Sequence, residues 1–313
     1  MIFPGNIFFE KKYYTVNKIS TWLKSGLGCL VLLNITFYLM INLNDTSDDL
    51  LMKDIQAIEN ASSLTLMQNM HLATYDIIQQ PYISKKMTND PYLFFRDTLF
   101  WQNSQAMDFQ GDQIQIQKNK DVLKDLNQHF KMSSQYRFGI SPDSQSLLSW
   151  VTYQFTHADL SHLFSNLIFL ILVGSILQKI ISHELIIFVY LMSGLSAALF
   201  YLLMSDRFGL PLVGASGSVS GLIAFLCVIK NKNNIQWSYF FWPFAKQGQG
   251  VVYLPAYLLL PIYLLADLTA VLVNQNGIIQ SVAHSAHVGG ALCGAAIGLV
   301  YLGKFKLASK FLT

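Results

Sequence analysis

The stretch HADLSHLFSNLIFLILVGSILQKII, residues 157–181, sets two histidines and an asparagine at the head of an apolar run. From Leu160 to Ile181 it is long enough to cross a bilayer core, which takes about 20 mostly apolar residues at the helical rise. His162 and Asn166 are four residues apart and share one helical face. Hydrogen-bonding side chains inside a span are costly and mark function by default. The stretch therefore predicts a membrane-crossing helix with a polar site near one end.

Five further segments have the same character: 26–43, 185–204, 211–229, 251–273 and 279–302. The whole chain is 52% hydrophobic and 12% charged, against about 25% charged in soluble proteins. Residues 45–150 hold 22 of the charges, whereas 151–313 hold only 12. The average conceals two materials, a polar domain and an apolar helical bundle. A net charge of +3 without any basic run excludes a nucleic-acid binder. Cys29, Cys227 and Cys293 lie in apolar stretches and read as small hydrophobes rather than a disulfide framework.

Basic residues set the expected topology. Lys11, Lys12, Lys18 and Lys24 precede the first span, Lys230, Lys232 and Lys246 follow the fourth, and Lys304, Lys306 and Lys310 follow the sixth. Both termini are expected in the cytoplasm, with the first span an uncleaved signal anchor. The expected organisation is a cytoplasmic segment 1–25, a first span 26–43, an extracytoplasmic helical domain 44–135, a core 136–303 carrying spans two to six, and a tail 304–313. Apolar residues recur at helical spacing in 50–58, 64–78 and 122–130, so the outer domain reads as helical too. The aromatic cluster from Tyr92 to Trp101 reads as that domain's own core or a membrane-surface contact. The fold class is all-α.

Three polar groups fall at similar depths. Spans two, four and six run in one direction under this topology. At the helical rise, His162 and Asn166 lie about 3 and 9 Å past Leu160, Ser216 about 8 Å past Pro211, and His287 about 12 Å past Ile279. A hydroxyl and an imidazole supply a nucleophile and its base, and a second imidazole with an amide can hold a developing oxyanion. Ser216 lies in Gly214-Ala215-Ser216-Gly217, and His287 shares a face with Gly290, Ala291, Gly294 and Gly298. Small residues mark where helices approach closely. Spacing alone leaves His284 and His287 both open as the base. Asp267, the one acid well inside a span, reads as structural, so a dyad is expected rather than a triad.

These residues resemble the rhomboid family of intramembrane serine proteases. The run His157-Ala-Asp-Leu-Ser-His162-Leu-Phe-Ser-Asn166 fits its H-x4-H-x3-N, Gly214-Ala-Ser216-Gly217 its G-x-S-G, and Ala286-His287-Val-Gly-Gly290-Ala-Leu-Cys-Gly294 its A-H-x2-G-x3-G. His284 does not fit the third pattern, so the resemblance selects His287. It covers about 136–303 and the first span, with 45–135 an enlarged insertion. Leu148-Ser149 stands where many members have Trp-Arg, and Ser220 where some have a tyrosine beneath the histidine.

The resemblance implies a six-helix bundle that hydrolyses peptide bonds near the outer end of transmembrane helices, in a bacterial cytoplasmic membrane. It makes Ser216 the nucleophile, His287 the base, and His162 and Asn166 the oxyanion donors. His157 becomes a structural histidine, and Gly214, Gly217, Gly290 and Gly294 the motif glycines. Span five, with Pro255 and Pro261, would be the movable side, and 274–278 a capping loop. Transmembrane proteins would be the substrates and the bilayer the solvent, with no metal, cofactor or nucleic acid implied. The competing class is a catalytically silent escort of membrane proteins.

Overall fold

The computed structural model describes residues 2–4, 25–42, 112–142, 145–204, 211–230, 234–240, 249–258, 261 and 278–311. Along them run β1 (Ile2–Pro4), α1 (Gly26–Asn42), α2 (Gln113–Met132), α3 (Ser134–Phe138), α4 (Ser149–Thr152), α5 (Leu160–Leu177), α6 (His183–Met204), α7 (Ser216–Lys230), β2 (Asn234–Phe240), β3 (Gln249–Pro255) and α8 (Ile278–Phe311). Among the described residues three apolar stretches are long enough to cross a membrane, Leu160–Leu177, His183–Met204 and His284–Gly303, and Gly26–Asn42 and Ser216–Lys230 are shorter apolar helices. The helical periodicity of 122–130 is realised in α2, while 50–58, 64–78 and the Tyr92–Trp101 cluster lie outside the described residues.

Asp159 determines where α5 starts. Its backbone is extended, and its carboxylate accepts from the His162 N–H at 2.8 Å and from Ser161 Oγ at 2.6 Å, which caps the first turn. From there α5 descends to meet the start of α1. Gly174 packs against the Leu27 side chain, and Gly26 approaches the His183 carbonyl at the head of α6. At the other end of α1, Phe37 stacks edge-on against Phe138 at 5.5 Å. So α1 runs antiparallel to α5 and parallel to α6. Their buried faces and that of α7, including Leu30, Leu170, Val189, Leu222 and Phe225, form one core.

The outward faces are apolar too. Phe164 is 64% exposed, Leu203 71% and Leu299 64%. A water-facing helix would carry polar residues there. These side chains are the lipid-facing surface of an integral membrane protein.

Glycines set the closest packing. A Cβ at Gly290 would overlap the Gly217 carbonyl, one at Gly294 the Gly221 carbonyl, and one at Gly298 would meet Val228 at 3.0 Å. The contacts advance together along both helices, so α7 and α8 run parallel. On its other side α8 meets α6, where Ser196 Oγ donates to the Gly289 carbonyl at 2.8 Å.

Two expectations about span limits need correction. Span four was to begin at residue 211, but 211–215 are not helical and α7 starts at Ser216. Leu212 pairs with Ile140 in an isolated bridge, and Gly214 has φ +110°, a conformation that favours glycine and ends any helical path through it. Span five was to begin at 251, but Gln249–Pro255 is a strand. It pairs antiparallel with β2 from Asn234↔Pro255 to Phe240↔Gln249. On the other edge β1 pairs with β2, Ile2↔Tyr239 to Pro4↔Trp237. Beyond Leu258 the expected fifth span lies outside the described residues apart from residue 261. The sheet adds a small β element to the expected helical fold. It follows the end of α7 opposite Ser216, so residues 2–4 and the segment after α7 share one side of the bundle.

The glycine seam makes a paired prediction. Gly290→Val should lower the thermal midpoint in detergent, with a destabilisation of about 1–3 kcal/mol from overpacking. Gly303→Ala, with nothing within 4 Å of its added Cβ, should leave the midpoint unchanged or raise it by up to about 1 kcal/mol of helix propensity.

Candidate active site

The approach to α5 is built from buried polar groups. After α4, Tyr153, Gln154, Thr156 and His157 are all at most 1% exposed. Thr156 Oγ1 donates to the Thr152 carbonyl at 3.0 Å. His157 Nδ1 lies 3.2 Å from the Phe155 carbonyl, which only accepts, so Nδ1 carries the proton. Its Nε2 is buried without a hydrogen-bond partner. The ring stands edge-on to His162, with centroids 5.2 Å apart. Burial first, and the nearby His162 second, push the His157 pKa down from 6.5 to about 4.

Ser216 is the first residue of α7 and is half-buried. Its lead-in is fixed by the Gly214 N–H, which donates to the Tyr153 carbonyl at 2.9 Å. The first turn of α7 and the positive end of its dipole therefore lie beside the hydroxyl. Across Gly214 stand the two polar side chains of α5. A Cβ there would come within 2.8 Å of His162 Nε2 and 3.6 Å of Asn166 Nδ2. Asn166 is 6% exposed and donates one Nδ2 hydrogen to the His162 carbonyl at 2.9 Å, leaving the second hydrogen of that amide.

His287 arrives on α8 by the glycine seam. The Gly217–Gly290 approach brings the turn of α8 that carries His287 against the first turn of α7, with the Ala286 carbonyl 3.6 Å from a Cβ placed on Gly217. His287 is 6% exposed. Its ring is close enough to His162 for the two to interact electrostatically. His284 lies one turn away on α8, ring centroid 6.3 Å from that of His287. Ser220, below Ser216, donates its hydroxyl to the Ser216 carbonyl at 2.9 Å.

The structure thus gathers Ser216, Gly214, Gly217, His162, Asn166, His287 and Gly290 into one locale, with His157 behind His162 and Gly294 a turn further down. Asp267 lies outside the described residues. Among the described residues no group of three or more His, Cys, Asp or Glu could hold a metal ion. The locale offers a hydroxyl at a helix start, an imidazole opposite, and two polar side chains over the intervening glycine. Sequence reasoning passed over Asp159, whose place before an apolar run is an N-cap signal. It also passed over Tyr153 and Gln154, whose bonds to α6 and α7 leave no local trace.

His157 makes a pH prediction. Its pKa is depressed in the folded chain, so the unfolded chain binds the extra proton between the two values, and stability is full above 6.5 and lost as pH falls towards about 4. The loss should reach up to about 3 kcal/mol. Thermal midpoints measured across that window should fall less steeply in His157→Gln, and an unaltered slope would assign the acid sensitivity to another group.

Residues 144–304 match the Rhomboid domain. The chain is also 31% identical over 163 residues to rhomboid-like protein 11, chloroplastic, of Arabidopsis thaliana, an alignment covering 51% of this chain and 54% of that protein. The chain thus spans about half the length of that relative. The matched region holds every motif residue gathered above, and it takes up half of the chain. This membrane protein belongs to the rhomboid family.

Proposed function

We propose that the chain is an intramembrane serine endopeptidase that cuts membrane-protein substrates near the outer ends of their transmembrane helices. The observation that carries this reading is the meeting at Gly214: a serine at a helix start, two polar side chains of α5 across the glycine, and His287 brought alongside by the α7–α8 seam.

In this reading Ser216 Oγ attacks the scissile carbonyl carbon while His287 takes its proton. The carbonyl oxygen becomes an oxyanion held by the Ser216 N–H, the second Asn166 Nδ2 hydrogen and His162. His287 returns the proton to the leaving amine, and the C–N bond breaks to leave an acyl-serine. Water, deprotonated by His287, then attacks that ester, and the serine hydroxyl is restored. His157 and the motif glycines Gly217, Gly290 and Gly294 keep these groups in place. The site needs no metal or cofactor in this scheme. The lysine distribution supports cytoplasmic termini and a site facing the extracytoplasmic side, and residence in a bacterial cytoplasmic membrane rests on the resemblance to the bacterial branch alone.

A fluorophosphonate probe should label the purified protein, and Ser216→Ala should abolish both labelling and cleavage of a transmembrane substrate. Labelling that survives in Ser216→Ala would sink the assignment. Binding of a helix without any cut product in wild type would favour a silent escort protein instead. Asn166→Ala should lower kcat about 100-fold with KM little changed, as loss of one oxyanion donor does. An equal loss in KM alone would make Asn166 a substrate-binding group.

A further inference from the structure

Gln154 has no part in the chemistry above, yet three helices and the loop before α5 converge on it. It is fully buried. Its Oε1 accepts from Ser218 Oγ at 2.8 Å, two residues into α7 beyond Ser216. Its Nε2 donates to the Trp150 carbonyl on α4 at 3.3 Å. Its main-chain carbonyl accepts from the Tyr190 hydroxyl of α6 at 3.1 Å, and that hydroxyl accepts from Asn34 Nδ2 of α1 at 3.4 Å. The carboxamide fills the space a side chain at Gly194 would need. Beside it, the Tyr153 hydroxyl donates to the Gly194 carbonyl at 2.6 Å, and the Tyr153 carbonyl receives the Gly214 N–H.

An apolar residue would fill this space at less cost, because a buried amide is tolerated only with its bonds made. The carboxamide's bonds to Ser218 and Trp150, in turn, hold these members in one arrangement. Ser218 and Ser216 are two residues apart, hence about 200° apart around α7. Pinning one side chain fixes the direction of the other. A 10° turn of the helix would carry a side-chain atom about 5 Å from the axis through about 1 Å. A displacement of that size in a reacting group costs about 100-fold in rate.

We propose that Gln154, through Ser218, sets the rotation of the first turn of α7 and so the aim of Ser216 Oγ. Gln154 is a positioning residue. Its effect on rate rests on the protease reading above, while its hold on α7 does not.

The test uses the full chain in detergent micelles and three readouts: the fluorophosphonate labelling rate, the thermal midpoint, and backbone hydrogen exchange of the segment 212–219. Ser218→Ala should slow labelling about 10- to 100-fold, speed exchange in that segment alone, and leave the midpoint nearly unchanged. Ser218→Thr, which restores a hydroxyl, should recover most of the rate. Gln154→Leu combined with Ser218→Ala should be no slower than the worse single variant, because the two share one interaction. Wild-type labelling and exchange in Ser218→Ala would overturn the proposal. So would a loss of rate matched by a lower midpoint and faster exchange throughout the bundle. If wild type itself is not labelled, the protease reading fails and exchange alone decides. Faster exchange confined to 212–219 then upholds the hold of Gln154 on α7, and unchanged exchange overturns it.

Discussion

Where Gly290 and Gly294 meet the carbonyls of Gly217 and Gly221, no side chain separates the backbones of α7 and α8. In lipid the helices gain nothing from leaving water, so close van der Waals contact has to hold them together. The same contact sets their register. A slip that brought Ala286 to the place of Gly290 would drive its Cβ into the Gly217 carbonyl. The opposite slip would bring Gly294 there harmlessly on the α7 side. It would also put Cys293 in the place of Gly289, where a Cβ lies 2.6 Å from Phe200 Cβ of α6. Only one register satisfies both neighbours, and in that register His287 lies beside the start of α7.

That arrangement brings together chemistry that a bilayer tolerates. A serine, two histidines and an asparagine can be buried without the cost of an ion. The positive end of α7 supplies charge stabilisation from backbone dipoles rather than from a lysine or arginine. Asp159, the carboxylate that caps α5, lies before the first residue of that helix and is exposed there. It is engaged by the Ser161 hydroxyl and the His162 N–H, which hold it below the usual carboxylate range. Buried support around Ser216 is likewise neutral, from Tyr153, Gln154 and Ser218. The scarcity of charge in residues 151–313 thus matches the composition of the site as well as that of the membrane.

The apolar runs and the small-residue stripe of α8 were legible in the sequence because both are local properties. The grouping of Ser216, His287, His162 and Asn166 was legible through shared depth, but one step towards it was geometrically wrong. Ser216 was placed by counting helical rise from Pro211, whereas the chain reaches it through non-helical residues and a left-handed Gly214. The strand Gln249–Pro255 was misread for a different reason. Val-Val-Tyr-Leu is as apolar as a span, and what makes it a strand is Asn234–Phe240, nine or more residues away in sequence. A sharper reading of the alternation in Ile235-Gln236-Trp237-Ser238-Tyr239 would have raised that possibility. The bond between Ser218 and Gln154 joins residues 64 apart, and no periodicity reports it.

The sheet follows from the direction of the seam. Parallel neighbours cannot be joined by a short loop, and the chain leaving α7 at one end of the bundle enters α8 at the other. An isolated hairpin is only marginally stable, and a third strand is what such a pair needs. β1 supplies it, pairing with the edge of β2 that β3 leaves open. Cys227 Sγ, 3.1 Å from the Ala256 carbonyl, ties the end of the hairpin to the last turns of α7. The N-terminal strand thus steadies the hairpin at the end of α7 opposite Ser216.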